Sequence, residues 1–356
     1  METISQNEFI KRLSKHARAN DIPVNGNFEL TPLCNLDCKM CYIHLTDATV
    51  KAKMLSGKQW IAIMQQAIDK GMVNAMLTGG EAMTHPDFWE IYEYLIRKGV
   101  LVRIKTNGLL LNDETIKRLI VMKPTCIDIS LYGCNSESYL AVTGHDVYET
   151  VIANIHAAKA AGLAIRLMVT PSRYMQPWVE DIMQLAKSLD VHTNVNGKLF
   201  SPKEDTGREL ADFDLTTEEN LQILRRGKEL FPREKPMKDD DCPEPDKKTT
   251  SVISEIGLRC GGGRFTFAAH WDGTMTPCLM FPQEMICEDL KNTAFADAWE
   301  SINRQVKEFV TAKECLTCSY REKCAYCPAK HGKYAFQRLC DPNACDFSKA
   351  LIDMTE

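Results

Sequence analysis

No apolar run in this chain approaches the roughly 18–20 residues needed to cross a bilayer. The first eight residues, Met1 to Glu8, are polar and lack the apolar core of a secretion signal. These two absences predict a cytoplasmic protein with no membrane partner. Positive charge is not in excess either: 43 Lys and Arg stand against 48 Asp and Glu, a net charge of −5. A general nucleic-acid binder needs a basic face to neutralise phosphates, so nucleic acid is not an expected partner. No internal repeat recurs. The apolar content of 44% and charged content of 26% are those of an ordinary globular protein. At 356 residues the chain has room for one large domain and a small one.

Cysteine, by contrast, is abundant. There are 15, an odd number in a chain without a secretion signal, which fits metal or redox use better than a disulfide framework. Three lie at Cys34, Cys38 and Cys41. Eight more fall at Cys260, Cys278, Cys315, Cys318, Cys324, Cys327, Cys340 and Cys345. Cys126, Cys134, Cys242 and Cys287 are scattered and read as buried thiols or bystanders.

From 26 to 231 short β-rich runs alternate with helical patterns. Strands are expected at Phe28–Leu33, Ala75–Thr78, Val100–Thr106, Cys126–Leu131, Ala164–Thr170 and His192–Lys198. Helices are expected at Lys58–Lys70, Pro86–Arg97, Asp113–Met122, Val147–Ala161 and Val179–Leu189. This alternation implies an α/β fold with a parallel sheet and right-handed crossovers. Length and periodicity alone leave open a doubly wound sheet or a partial (βα)6 barrel. In both, chemistry gathers at the carboxyl ends of the strands, and Cys34 follows directly after the first strand. Residues 1–25 form an N-terminal extension, and 232–250, rich in proline and charge, a linker or mobile loop. Residues 251–356 are cysteine-dense and weakly periodic, as expected of a small domain built around metal.

In Cys34-x3-Cys38-x2-Cys41-Tyr42, three thiolates stand close enough to hold three irons of a [4Fe–4S] cube and leave the fourth open. A zinc knuckle is the alternative, but such motifs come as two paired halves and no second half lies nearby. The motif resembles the signature of the radical S-adenosylmethionine (SAM) superfamily, with Met40 in the variable slot and Tyr42 behind the last cysteine. That resemblance implies a partial (βα)6 TIM-like barrel whose [4Fe–4S] cluster binds SAM. One electron would then cleave the sulfonium to methionine and a 5′-deoxyadenosyl radical, which abstracts hydrogen from an unactivated C–H bond. Thr78-Gly79-Gly80-Glu81 resembles the family's GGEP motif, with Ala82 in place of the proline. Its glycines would bring backbone to the cofactor and its carboxylate would hold the SAM ammonium. Lys105-Thr106-Asn107-Gly108 resembles the TNG stretch. Ser130 resembles the ribose-hydroxyl contact, Arg166 and Thr170 would lie near the methionyl or adenosine portion, and Leu199-Phe200 would pack on the adenine.

Cys260-x12-Gly273-x4-Cys278, then Cys315-x2-Cys318-x5-Cys324-x2-Cys327, then Cys340 and Cys345, resembles the SPASM domain. One departure is that two residues, where the family has three, separate Cys324 from Cys327. The resemblance implies two auxiliary [4Fe–4S] clusters. One would use Cys260, Cys278 and Cys327; the other would use Cys315, Cys318, Cys324 and either Cys345 or Cys340. The cysteine left over would complete the first cluster or leave an iron open to a substrate thiolate. The alternative is a pair of zinc ribbons. Asp272 is a weak candidate base, since Asp-Gly also marks a hairpin turn. His270 and Trp271 read as packing residues, His44 as an exposed loop position, and Arg264 as part of an ion pair.

The resemblance points to an enzyme that matures peptides: a radical SAM oxidoreductase abstracting hydrogen from a ribosomally made precursor peptide and installing a thioether or carbon–carbon crosslink. The competing enzymes are a peptide epimerase and a sulfatase-maturase-type Cys/Ser dehydrogenase. An epimerase needs a thiol donor, for which Cys126, Cys134, Cys242 and Cys287 are candidates. A non-catalytic iron–sulfur or zinc scaffold is the reading from another class, and it has no use for Gly79-Gly80-Glu81. The expected reductant is a flavodoxin or ferredoxin. About 25 residues precede the first strand, short of the roughly 80 a peptide-recognition module needs. A separate leader-recognition protein, or the barrel surface, is therefore expected to hold the leader.

Overall fold

The computed structural model describes residues 6–43, 48–203, 209–232, 257–324 and 326–354. The expected linker lies outside them apart from Pro232, as do His44 and Cys242. Six strands run parallel: β1 (Asn25–Glu29), β2 (Asn74–Thr78), β3 (Leu101–Thr106), β4 (Cys126–Ser130), β5 (Ile165–Val169) and β6 (Thr193–Val195). Three more follow: β7 (Thr266–Ala269), β8 (Thr274–Thr276) and β9 (Glu288–Asp289). The sheet order is β6-β5-β4-β3-β2-β1-β7-β8-β9, so consecutive strands neighbour one another until β7 returns to the outer side of β1. The result is the partial parallel barrel that the strand–helix alternation and the family resemblance led us to expect.

Successive side chains on a strand face opposite ways, and here the two faces differ in chemistry. Phe28, Leu77, Ile104, Ile127, Ile129, Leu167 and Val169 are fully buried against the helical layer. The opposite face carries Asn27, Lys105, Asp128, Ser130 and Arg166, which is unusual for a sealed core and natural for a barrel with work to do inside. The five expected helices form within two residues of their expected bounds. Helix Gly57–Asp69 shows why: Ser56 and Gln59 make a capping box, and Trp60, Ile63, Met64 and Ala67 fall on its buried face.

Two parts of the architecture depart from expectation. β1 starts and ends earlier than expected, because from Thr31 onward the backbone turns to meet the segment after β2. There Gly80 N donates to Thr31 O (2.8 Å) and Glu81 N to Leu33 O (2.9 Å). The cysteine-rich region, in turn, does not stand apart from the barrel. β7 pairs parallel with β1, and Phe267 on it packs edge-on against Phe28 (5.6 Å) and Phe295 (4.9 Å) within one continuous core. Among the described residues, no helix is long and apolar enough to cross a membrane.

Candidate active site

The loop after β1 carries Cys34, Cys38 and Cys41. It is pinned to the end of helix Ser136–Thr143, where Asp37 N donates to Thr143 O (2.9 Å) and Lys39 N to Val142 O (3.0 Å). Cys34 Sγ accepts from Leu36 N (3.4 Å) and from Asn107 Nδ2 (3.7 Å). Tyr132 and Ser130 line the same wall as Cys38. Burial pushes the Cys34 thiol up to about 11, and burial with the charges of Cys41 and Cys34 pushes Cys38 higher still. Thiols so placed stay protonated by themselves; a positively charged centre bound to all three would reverse that balance, as metal ligation does. Three soft sulfur donors on one short loop fit an iron–sulfur cluster.

These thiols open on a cavity of about 650 Å³. Gly79, Gly80, Ser130, Thr170 and Leu199, all expected at the cofactor, line it, and so does Phe200. Lys105, Thr106 and Asn107 of the TNG-like stretch line it too, as do Asn27, Tyr132 and Asn196, which carried no specific expectation. Cys278, Met280 and Lys330 close it from the C-terminal region.

Three expected contacts lie elsewhere. Glu81 is fully buried behind the wall. Its Oε2 accepts from Thr106 Oγ1 and Asn107 N (2.8 Å each) and its Oε1 from Met83 N (3.2 Å). It fastens the end of β3 to the Gly-Gly turn and does not face the cavity. Arg166 sits one layer lower, where its Nε (2.8 Å) and a terminal nitrogen (2.7 Å) grip Asp128, which also pairs with Arg103. Asp272 belongs to the hairpin turn, its Oδ1 accepting from Thr274 N (3.0 Å) and Thr274 Oγ1 (2.7 Å).

The Gly-Gly pair has a cause that sequence did not suggest. A Cβ on Gly79 would meet Thr31 O at 2.3 Å, and one on Gly80 would meet Leu33 O at 2.4 Å. What demands glycine here is therefore the close approach of the cysteine loop, besides any ligand.

A buried trio was also missed. Glu29 Oε2 accepts from Lys203 Nζ (2.8 Å), and Glu29 Oε1 lies 3.2 Å from His270 Nδ1. His270 Nε2 reaches Thr276 Oγ1 (2.8 Å), and Lys203 lies over the Tyr42 ring. Burial alone would raise the Glu29 carboxyl, but His270 and Lys203 outweigh it and hold it below its ordinary value.

The eight candidate cluster thiols of the C-terminal region separate into two groups. Cys278, pushed up to about 12 by burial, feels the charges of Cys327 and Cys260. Cys315, Cys318, Cys324, Cys340 and Cys345 line a second cavity of about 890 Å³, with Cys315 and Cys340 Sγ 3.4 Å apart. Both Cys340 and Cys345 thus stand with the second group. Among the described residues, no three His, Cys, Asp or Glu converge on a point that a single metal ion would occupy.

A thiol loop at the carboxyl end of β1, opening on a polar half-barrel beside a Gly-Gly turn, defines an α/β barrel made to hold a thiolate-bound centre at its mouth. Residues 28–186 match the family model of the Radical SAM superfamily. The chain therefore carries a Radical SAM domain and is an enzyme; that domain family implies a [4Fe–4S] cluster that binds SAM, and Cys34, Cys38 and Cys41 lie within the matched residues. It is 25% identical over 289 residues to the antilisterial bacteriocin subtilosin biosynthesis protein AlbA of Bacillus subtilis, covering 79% of this chain and 59% of AlbA. It is 24% identical over 319 residues to the AdoMet-dependent heme synthase of Methanosarcina barkeri, covering 85% of this chain and 90% of that protein. Its fold matches Streptococcus suis SuiB bound to S-adenosylmethionine with a TM-score of 0.69 at 17% identity, over 97% of this chain and 84% of SuiB.

Proposed function

We propose that this chain modifies a ribosomally made precursor peptide, abstracting hydrogen from one of its residues and leaving a crosslink. The observation that carries this is the shared cavity: the Cys34 loop and Cys278, of the group with Cys260 and Cys327, face one space, so a substrate there lies between two thiolate-held centres. AlbA acts in bacteriocin biosynthesis, and SuiB, at 14% identity, has been seen with its precursor peptide SuiA, which supports a peptide substrate. In this reading Cys34, Cys38 and Cys41 hold the SAM-binding cluster. Cys260, Cys278 and Cys327 hold one auxiliary cluster, and four of the five thiols at the other cavity hold a second. The bound cluster and SAM supply a 5′-deoxyadenosyl radical. The chain itself does the rest: Gly79 and Gly80 shape one wall, Ser130, Thr170 and Leu199 orient the cofactor, and the Asn107 donor steadies the Cys34 sulfur.

The test is anaerobic reconstitution with iron and sulfide, followed by SAM and dithionite. About twelve irons per chain, 5′-deoxyadenosine formation, and its loss in Cys34→Ala, Cys38→Ala and Cys41→Ala are expected. Bound zinc with intact SAM overturns the reading. A second reading, a tetrapyrrole-modifying enzyme, is favoured by the heme synthase matching nearly end to end where AlbA is much longer. Mass spectrometry separates the two, by a mass change on a co-expressed precursor peptide or on a haem precursor.

A further inference from the structure

The cavity holding five thiols has a rim unlike the rest of the chain. Among the described residues lining it are six cations, Arg18, Arg259, Arg264, Lys307, Arg321 and Lys349, and one carboxylate, Glu314. The whole chain has more acids than bases. Lys307 meets Asp21 (2.6 Å), but Arg18 and Arg259 spend guanidinium hydrogens on the carbonyls of Arg259 and Arg321, and among the described residues neither forms an ion pair with a carboxylate. Burial, and then the neighbouring Arg264, disfavour the charge of Arg18.

Large apolar side chains stand exposed beside this rim. Val310, Leu316 and Phe336 are 40%, 42% and 52% exposed. Leu316 adjoins Cys315 and Thr317 in the cavity wall, and Val310 adjoins Thr311. Phe336 sits on the turn whose Arg338 carbonyl accepts from Lys313 N (3.3 Å). Apolar contacts within a ring of one sign of charge are the composition of a docking surface for a partner of the opposite sign.

We propose that this face docks a small acidic one-electron carrier protein of the flavodoxin class. The proposal rests on the reading that the five thiols hold an iron–sulfur cluster. Five thiols in a cavity open to this rim place a redox centre within reach of a docked carrier. A substrate peptide has no comparable reason to sit here, because this cavity shares no wall residue with the one at Cys34.

The experiment measures binding of a recombinant bacterial flavodoxin to the reconstituted full chain by fluorescence anisotropy, at low salt and at about 0.15 M salt. The variants are Arg259→Glu, Arg259→Glu with Lys307→Glu, and the distant exposed Lys117→Glu as control. The double variant is expected to weaken binding by about tenfold or more at low salt and to flatten its salt dependence. Lys117→Glu should stay within about twofold. Dithionite-driven SAM cleavage should be unchanged in all three. Flavodoxin binding indifferent to the double reversal overturns the proposal, as does wild-type protein that binds an acidic peptide here and no flavodoxin. Absence of dithionite-driven cleavage in the wild type would instead bring down the functional reading itself.

Discussion

Glu81 separates two accounts of the Gly-Gly-Glu turn, and its replacement tells them apart. If the carboxylate held the SAM ammonium, Glu81→Gln would lose SAM affinity with little effect on folding. The geometry makes it a latch instead, whose replacement by Gln keeps SAM affinity and changes how stability depends on pH, because all the carboxylate's hydrogen bonds go to Thr106, Asn107 and Met83. Burial lifts its carboxyl to about 6 from 4.5. The folded chain therefore binds this proton more tightly than the unfolded one, and stability falls as pH rises from about 4.5 through 6. At neutral pH the ionised group costs about 2 kcal/mol of stability. Glu81→Gln removes that cost, keeps one oxygen for Thr106 and Asn107, and sets an NH2 against Met83 N–H. The net change at pH 7 should be within about 2 kcal/mol. Glu81→Ala strands the buried Asn107 N–H and opens a hole, and should cost about 2–5 kcal/mol. Urea unfolding of both variants from pH 4.5 to 7 checks the magnitudes, and the gap between wild type and Glu81→Gln should shift by about 2 kcal/mol across that range. Equilibrium dialysis with SAM gives the other axis. A Glu81→Gln protein of unchanged stability profile that has lost SAM binding a hundredfold would refute the latch.

Three further outcomes follow from the same coordinates. Gly80→Ala forces a Cβ to within 2.4 Å of the Leu33 carbonyl, and backbone cannot move aside cheaply. Thermal unfolding should register a loss of about 3 kcal/mol or more, with the Cys34 loop displaced. Glu29→Gln leaves Lys203 without its buried counter-charge and should cost about 3–5 kcal/mol by urea unfolding at pH 7. Because the Glu29 carboxyl is held below its ordinary value, that stabilisation is present above the ordinary carboxylate range and disappears as pH falls through the folded value. Cys327→Ala should lose about four irons per chain and keep SAM cleavage, while one of Cys340→Ala and Cys345→Ala retains full iron content. Loss of about four irons in both of the last two would contradict a site with a spare thiol.

Where a signal was local, the sequence carried it. The cysteine loop, the five helices and the alternation that buries Ile127 and Ile129 while turning Ser130 inward all depend on neighbours in the chain. Contacts across long separations left no such trace. Glu29 and His270 are 241 positions apart, and nothing near either advertises the other. Glu81 looked like a ligand because it follows two glycines, yet the donors that satisfy it come from the end of β3. Cys324 and Cys327, which the resemblance assigns to different clusters, do lie apart: Cys324 lines the 890 Å³ cavity and Cys327 stands near Cys278, with Tyr326, buried and stacked on His331 (4.5 Å), between them in the chain. β7 is four residues long and lies soon after Gly261, Gly262 and Gly263, too short to stand out by pattern.

That small strand governs how the two thiol regions relate. β1 pairs on one side with β2, which delivers Gly79 and Gly80, and on the other with β7, which leads to His270 and then Cys278. The Cys34 loop leaves the carboxyl end of β1 itself. Both walls of the 650 Å³ cavity are therefore mounted on a single strand, and Glu29, at its end, ties the loop side through Lys203 and the C-terminal side through His270. A metal-built domain tethered by a linker could drift relative to the barrel; one hydrogen-bonded to the central strand cannot. For radical chemistry this matters, because hydrogen transfer falls off steeply with the distance and orientation of the reacting groups, and the separation of the Cys34 loop from Cys278 is here set by strands of one sheet.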